Sequence, residues 1–208
     1  PSDAYCKVNI IYETDMESDI DDAATLGMLH AMADLNECNI LAVMHNTSDE
    51  YGVGVIDAIN TWYHRPDIPI GSYKKNDAYS VWFGGKMEHA EAISKNPKFA
   101  KDIISRKDVP HAIDVYKKIL SKIPDKSVVI VSVGWTVNLR DLLMDKEGYE
   151  LVKLKVEKLV QMGGGWNPPD SSRSRPQMNL LGNQVTAPAY ESGKYVIDNW
   201  PTPIVLSG

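Results

Sequence analysis

VNIIYETDMESDIDDA, residues 8–23, holds three different signals in sixteen positions. Residues 8–12 form a short β-branched and apolar run that reads as a buried strand. Six of the ten residues from Glu13 to Asp22 are acidic. Helical spacing then takes over across 20–34, with Ala23, Leu26, Leu29 and Ala33 on one face. A strand, an acidic turn and a helix in succession form the opening of an α/β unit.

The rest of the chain repeats that alternation. Strands are expected over 40–44, 68–70, 128–133 and 157–162, and the apolar 203–206 is strand-like. Helices are expected over 53–63, 112–120, 136–144 and 149–156. Residues 128–133 hold five valines or isoleucines in six positions, a continuous run suited to a strand covered on both faces. The predicted fold is therefore α/β, an open and mostly parallel sheet with helices on both faces. Two stretches, 73–107 and 163–176, break the rhythm and read as long irregular segments of the kind that carry substrate loops.

The 208 residues fit one domain at about 100–200 residues each. A hydrophobic share of 43% with 24% charged residues is that of a globular chain. The net charge of −6 argues against a nucleic-acid-binding surface. No apolar run reaches about 18 residues, so no membrane-spanning helix is expected. Cys6 and Cys38 form no CxxC and are expected to be free thiols in or near the core. The chain opens on Pro1 without an initiator Met or apolar leader, and a segment removed in maturation and a trimmed terminus both fit that start. Both exported and cytoplasmic locations fit it.

The acidic turn falls at a strand's carboxyl end, where open α/β sheets bind ligands. Asp19 suits a helix cap, and carboxylates are favoured at a helix N-terminus. That does not account for Asp15, Asp21 and Asp22 together, because two carboxylates about 4 Å apart repel by roughly 4 kcal/mol at an effective dielectric near 20. A solvated turn relieves the repulsion, and so does a cation. All-oxygen donors with flexible geometry favour Ca²⁺. An EF-hand started at Asp15 would need glycine at Ile20 and glutamate at Leu26. A phosphatase-type DxD would need its first aspartate at the strand end, which disfavours a metal-dependent phosphohydrolase.

TDMESDIDDA (14–23) resembles the DxxxDxDDA fingerprint of the inosine–uridine-preferring nucleoside hydrolases, in the variant with two extra residues before the DD pair. The likeness continues through LHAMADLNECNILAV (29–43), HNT (45–47), DAINTWYHRPDIPIG (57–71) and SVVIVSVGWTVNL (127–139). It resumes in KLVQMGGGW (158–166), PQMNLLGN (176–183) and WPTPIVLSG (200–208). The resemblance implies Ca²⁺-dependent hydrolysis of the N-glycosidic bond of ribonucleosides, giving ribose and free base. It implies that Asp15 is a metal ligand and the general base on a metal-bound water. Asp22 would be a bidentate ligand and the Val133 carbonyl a further one. Asp21 would accept a hydrogen bond from the ribose 2′-hydroxyl, Asn46 and Asn179 would orient ribose hydroxyls, and Gln177 would lie near the 5′-hydroxyl. Trp135 and Trp166 sit beside glycine-containing loops and are candidates for stacking on the base, Trp82 less so; packing is the ordinary role of such rings. The partner expected is a small-molecule riboside, with a homo-oligomer left open.

The chain departs from the family pattern at several points. Glu17-Ser18 replaces Gly-Asn, Gln177 stands for a glutamate and Asn183 for an aspartate. The resemblance also implies a further portion beyond Gly208, with a last metal-binding aspartate and often a histidine that protonates the leaving base. Without it the 208 residues are expected to bind Ca²⁺ weakly and to turn over little. Of the histidines, His45 beside Asn46 is the candidate for that acid; His30 reads as a core-edge residue and His64, His89 and His111 as loop or helix-start positions. These departures define a second reading, a nucleoside- or sugar-binding protein that has lost turnover.

Overall fold

The first strand, β1 (Val8–Thr14), runs two residues further than its apolar run. Ile10, Ile11, Tyr12, Glu13 and Thr14 are all buried in sequence, which is how a central strand covered on both faces reads. The structure, a computed structural model, describes residues 7–16, 20–79, 88–164, 178–181 and 186–207.

Around β1 the sheet is built from β2 (Cys38–His45), β3 (Ile70–Ser72), β4 (Val128–Ser132), β5 (Val156–Met162) and β6 (Ile204–Ser207). Its order is β3-β2-β1-β4-β5-β6, and all five pairings are parallel. Helices α1 (Asp21–Asp34), α2 (Gly52–Trp62), α3 (Glu88–Ser94), α4 (Ala112–Leu120), α5 (Val137–Met144), α6 (Lys146–Lys155), α7 (Met178–Leu181) and α8 (Ala187–Asn199) connect the strands. The predicted open parallel α/β architecture is the observed one. Strand order reverses between β1 and β4, so the crevice at their carboxyl ends is the switch point at which such sheets bind ligands.

Side-chain alternation along β1 divides the core. Ile11 packs with Ile130, Leu159 and residues of α4, α5, α6 and α8 on one face. Ile10 and Tyr12 pack with Leu26 of α1 and Val53 and Ile56 of α2 on the other. Cys38 is a buried free thiol, as expected; Cys6 lies outside the described residues.

Several elements differ from their expected form, α6 among them, which starts at Lys146 and yields Val156 to the next strand. The third strand starts at Ile70 rather than two residues earlier, because Pro69 has no N–H to give the ladder and contributes only its carbonyl, to the Val43 amide. The stretch 73–107 is not wholly irregular, since it contains α3. Helix α8 escapes a periodicity reading: it carries a proline in its first turn, where no N–H is needed, and its Gly193 and polar residues dilute the apolar stripe.

Candidate active site at the switch point

Tyr12 and Thr14 point to the α1 side of the sheet, and there they meet Asp22. The Tyr12 hydroxyl donates to the Asp22 backbone carbonyl at 3.0 Å, and the Thr14 hydroxyl donates to the Asp22 carboxylate. Asp22, in the first turn of α1, is 1% exposed. Asp15 and Asp22 both act on the Tyr12 hydroxyl: after burial, their charges raise its pKa above the usual phenol range. Asp15, just past β1, and Asp22, in the first turn of α1, thus lie near the same hydroxyl at the end of β1. The chain leaves that point through Met16 at φ +47°, a left-handed conformation held in place by the Met16 amide donating to Thr14 Oγ1 at 3.1 Å.

The ends of β2 and β4 close on the same point. The Asn46 amide donates to the Thr14 carbonyl at 2.9 Å. Its side-chain Oδ1 accepts from the Trp135 backbone N–H at 3.2 Å. Between them sits Gly134, where a Cβ would stand 2.5 Å from the Asp15 nitrogen and 2.7 Å from Asn46 Oδ1. The β4–α5 turn can approach the acidic loop this closely because that position carries no side chain. The Val133 N–H donates to the Glu13 carbonyl at 3.0 Å, and the Val133 carbonyl accepts from Asn179 Nδ2 at 2.7 Å. Asp15, Asp22, Asn46, Val133 and Asn179 are thus brought to one edge of the sheet.

Other expected site residues fare differently. Trp135 is 2% exposed and packs with Tyr73, Ala78, Val137 and Ala189; its ring serves packing, and its N–H serves Asn46. Gln177 and Trp166 lie outside the described residues, as do Trp82 and the departures at Glu17, Ser18 and Asn183. His30 is fully buried, bonded to Asn60 at 2.9 Å and stacked on Tyr63. His45 stands at the site. Its Nε2 lies 3.1 Å from the Asp15 carbonyl, which only accepts, so Nε2 carries the hydrogen. Burial lowers its pKa to about 4, leaving a neutral ring near pH 7.

A residue without an assigned role in the sequence reading sits directly beneath. Glu13 points to the face opposite Thr14 and is fully buried. It accepts from Asn46 Nδ2 at 3.0 Å, from Asn138 Nδ2 at 3.2 Å and from the Tyr116 hydroxyl at 2.8 Å. Burial pushes its carboxyl up to about 8 against the pull of these donors. Its registered neighbours on β4 and β5 are Ser132 and, one strand further, Gln161, both fully buried. A polar row thus crosses three strands of an otherwise apolar layer. The signal was available: a glutamate in the strand's own alternation, two positions after Ile11.

The donors at this edge are carboxylates and a carbonyl, the oxygen chemistry of a hard divalent cation such as Ca²⁺. The residues fit that ion in kind. Among the described residues no three His, Cys, Asp or Glu side chains converge to hold a metal by themselves, so a full Ca²⁺ shell would draw further oxygens from elsewhere. Two apolar hollows lie away from this edge. One of about 600 Å³ is lined by Leu41, Ile68 and Ile119 among others, and one of about 340 Å³ by Gly27, Ile59 and Trp62 among others.

The sequence matches no protein-family profile and no curated protein. Solved structures do share its fold. The type III effector XopQ, complexed with adenosine diphosphate ribose, superposes with a TM-score of 0.67 at 14% identity over 96% of this chain. The plant nucleoside hydrolase PpNRh1 gives 0.64 at 18% identity over 98%. An inosine–uridine-preferring nucleoside hydrolase from Bacillus anthracis gives 0.67 at 15% over 97%. The chain spans 56%, 60% and 64% of these three structures' lengths, respectively. At such identities the likeness shows the fold, that of the nucleoside hydrolases.

Proposed function

We propose that the switch-point edge is a riboside site and that the chain contributes to hydrolysis of the N-glycosidic bond of ribonucleosides. The observation that carries this reading is the placement of Asp15 and Asp22 beside Asn46 and Val133 at the end of β1, on a nucleoside-hydrolase scaffold. Asp15, Asp22 and the Val133 carbonyl are the groups that would hold Ca²⁺. Bound there, the ion would supply Lewis acidity and a grip on the ribose diol.

The protein's own groups account for the rest. Leaving of the base makes the sugar oxocarbenium-like, and fixed negative charge under the ring stabilises it more than the ground state. Asp15 accepts the proton of the attacking water. Asp21, beside Asp22 at the start of α1, accepts from the 2′-hydroxyl and Asn179 orients a further hydroxyl, while Asn46, buried and bonded at both ends of its amide, supports the edge from beneath. A neutral His45 gives the leaving base no proton near pH 7. A second reading is riboside binding without turnover, with which XopQ, solved with adenosine diphosphate ribose, is consistent.

Ribonucleosides and their 2′-deoxy counterparts separate this site from a general sugar or phosphate site. Binding by calorimetry and base release, each with Ca²⁺, are expected to favour the ribo form by at least about tenfold, the effect of stranding a buried partner. Equal handling of the two forms contradicts the reading. Binding of the ribo form without base release selects the second reading.

A further inference from the structure

Glu13 touches no reacting group in this chemistry, yet its carboxylate joins side chains from three other parts of the fold. We propose that Glu13 is the positioning residue of the site: through Asn46 it fixes the ends of β2 and β4 against β1, and so sets Asp15 and the Val133 carbonyl. The proposal rests on the riboside reading of that edge.

The connections run in both directions from one residue. The Glu13 backbone carbonyl receives the Val133 N–H at 3.0 Å, which pins the β4–α5 turn directly. Its carboxylate receives Asn46 Nδ2 at 3.0 Å, and the other end of the same amide, Oδ1, receives the Trp135 N–H at 3.2 Å. Asn46 is thereby read at both ends. Rotating its amide by half a turn would face Oδ1 to the carboxylate and Nδ2 to the Trp135 N–H, losing both bonds and opposing like poles. The Asn46 orientation, and with it the turn at Gly134 that abuts Asp15, therefore depends on an acceptor at Glu13. The outer bonds, from Asn138 Nδ2 at 3.2 Å and the Tyr116 hydroxyl at 2.8 Å, hold that acceptor from α5 and α4. Asn138 Nδ2 also reaches the His45 carbonyl at 3.1 Å, closing the ring back to β2. Glu13, Asn46 and Asn138 are all fully buried, so no solvent can replace a lost bond cheaply.

The contrast between Glu13→Leu and Glu13→Gln tests this in the full chain. Glutamine keeps an oxygen for the two asparagine amides and turns its own amide toward the Tyr116 oxygen, which can accept; leucine offers nothing. Two readouts are taken: hydrogen exchange of the Asn46 side-chain amide and Trp135 backbone amide by NMR, and affinity for inosine. Glu13→Gln is expected to resemble the parent in both. Glu13→Leu is expected to exchange at least about tenfold faster at both amides and to bind inosine roughly 10- to 100-fold more weakly. Glu13→Leu/Asn46→Ala should then bind no more weakly than Asn46→Ala alone, because the two act through one path. Protected amides and parental affinity in Glu13→Leu, or additive losses in the double variant, overturn the proposal. If the leucine variant does not fold, Glu13→Asp, the same carboxyl drawn back by one methylene, is expected to show the same loss, and parental behaviour there overturns it equally. If the parent binds no inosine while Glu13→Leu releases both amides, positioning by Glu13 stands and the riboside reading falls.

Discussion

A methyl group at Gly134 would stand 2.5 Å from a backbone nitrogen and 2.7 Å from a side-chain oxygen already bonded on the other side. Neither neighbour is the loose end of a flexible side chain, so Gly134→Ala must move the β4–α5 turn away from Asp15. The expected cost is about 1–3 kcal/mol of stability, read by chemical denaturation, together with loss of inosine binding. Retained stability and affinity would contradict the close packing of these loops. His45 gives a second residue-level expectation. Its folded pKa of about 4 lies below the usual value near 6.5, so its contribution is full above about pH 6.5 and is lost as pH falls through 4. Glu13 works in the opposite sense: with a folded value of about 8, its contribution is full below about 4.5 and is lost as pH rises through 8. Comparing the parent with His45→Asn at pH 7 and pH 4.5 separates the two. The parent should lose about 2–3 kcal/mol more than the variant over that interval. Equal losses would mean that the ring is solvated.

Among the elements, α7 and α8 act as a pair. A Cβ at Gly193 would collide with the Leu180 backbone carbonyl, so the absence of a side chain on α8 is what lets α7 lie against it. Helix α7 carries Asn179, whose amide reaches the Val133 carbonyl. Gly193→Ala is expected to displace α7, lower the melting temperature and weaken inosine binding; an unchanged affinity would detach Asn179 from the site. This part of the architecture was the least legible in the sequence. Residues 128–133 and 8–12 declared their strands because a buried parallel strand needs a nearly continuous apolar run, interrupted here only at Ser132 and Asn9. In α8, Pro188 and Gly193 mask a helix that exists because it packs on α5 and α7, and long-range packing leaves little periodic trace. Glu13 illustrates the same limit: its place in a strand was legible, but its three partners come from residues 46, 116 and 138, and only the folded sheet brings them together. Asp15, Asp22, Asn46 and Val133 were named from the family resemblance, and the fold brings them to one edge of the sheet. Trp135 shows the converse, since adjacency to a glycine loop does not say which way a ring turns.

At the scale of the whole molecule, strand order β3-β2-β1-β4-β5-β6 creates a crevice between β1 and β4, and the acidic loop at the end of β1 lies at it, where the proposed riboside site is. Later elements reach that crevice as well: the β2 end brings Asn46, the β4 end the Val133 carbonyl and α7 the Asn179 amide. Asp15 is the residue on which charge and chemistry coincide in this account. Binding of inosine and release of its base, with and without Ca²⁺, by the parent and by Asp15→Asn with unfolding curves for both, is the measurement that bears on it most directly. Ca²⁺-dependent binding of inosine by the parent, with at most slow base release, is expected, together with loss of both in Asp15→Asn and a variant at least as stable as the parent without Ca²⁺, because one of two neighbouring like charges is removed. Cleavage by Asp15→Asn at the parent's rate, or a parent that neither binds nor cleaves inosine with Ca²⁺ present, would contradict it.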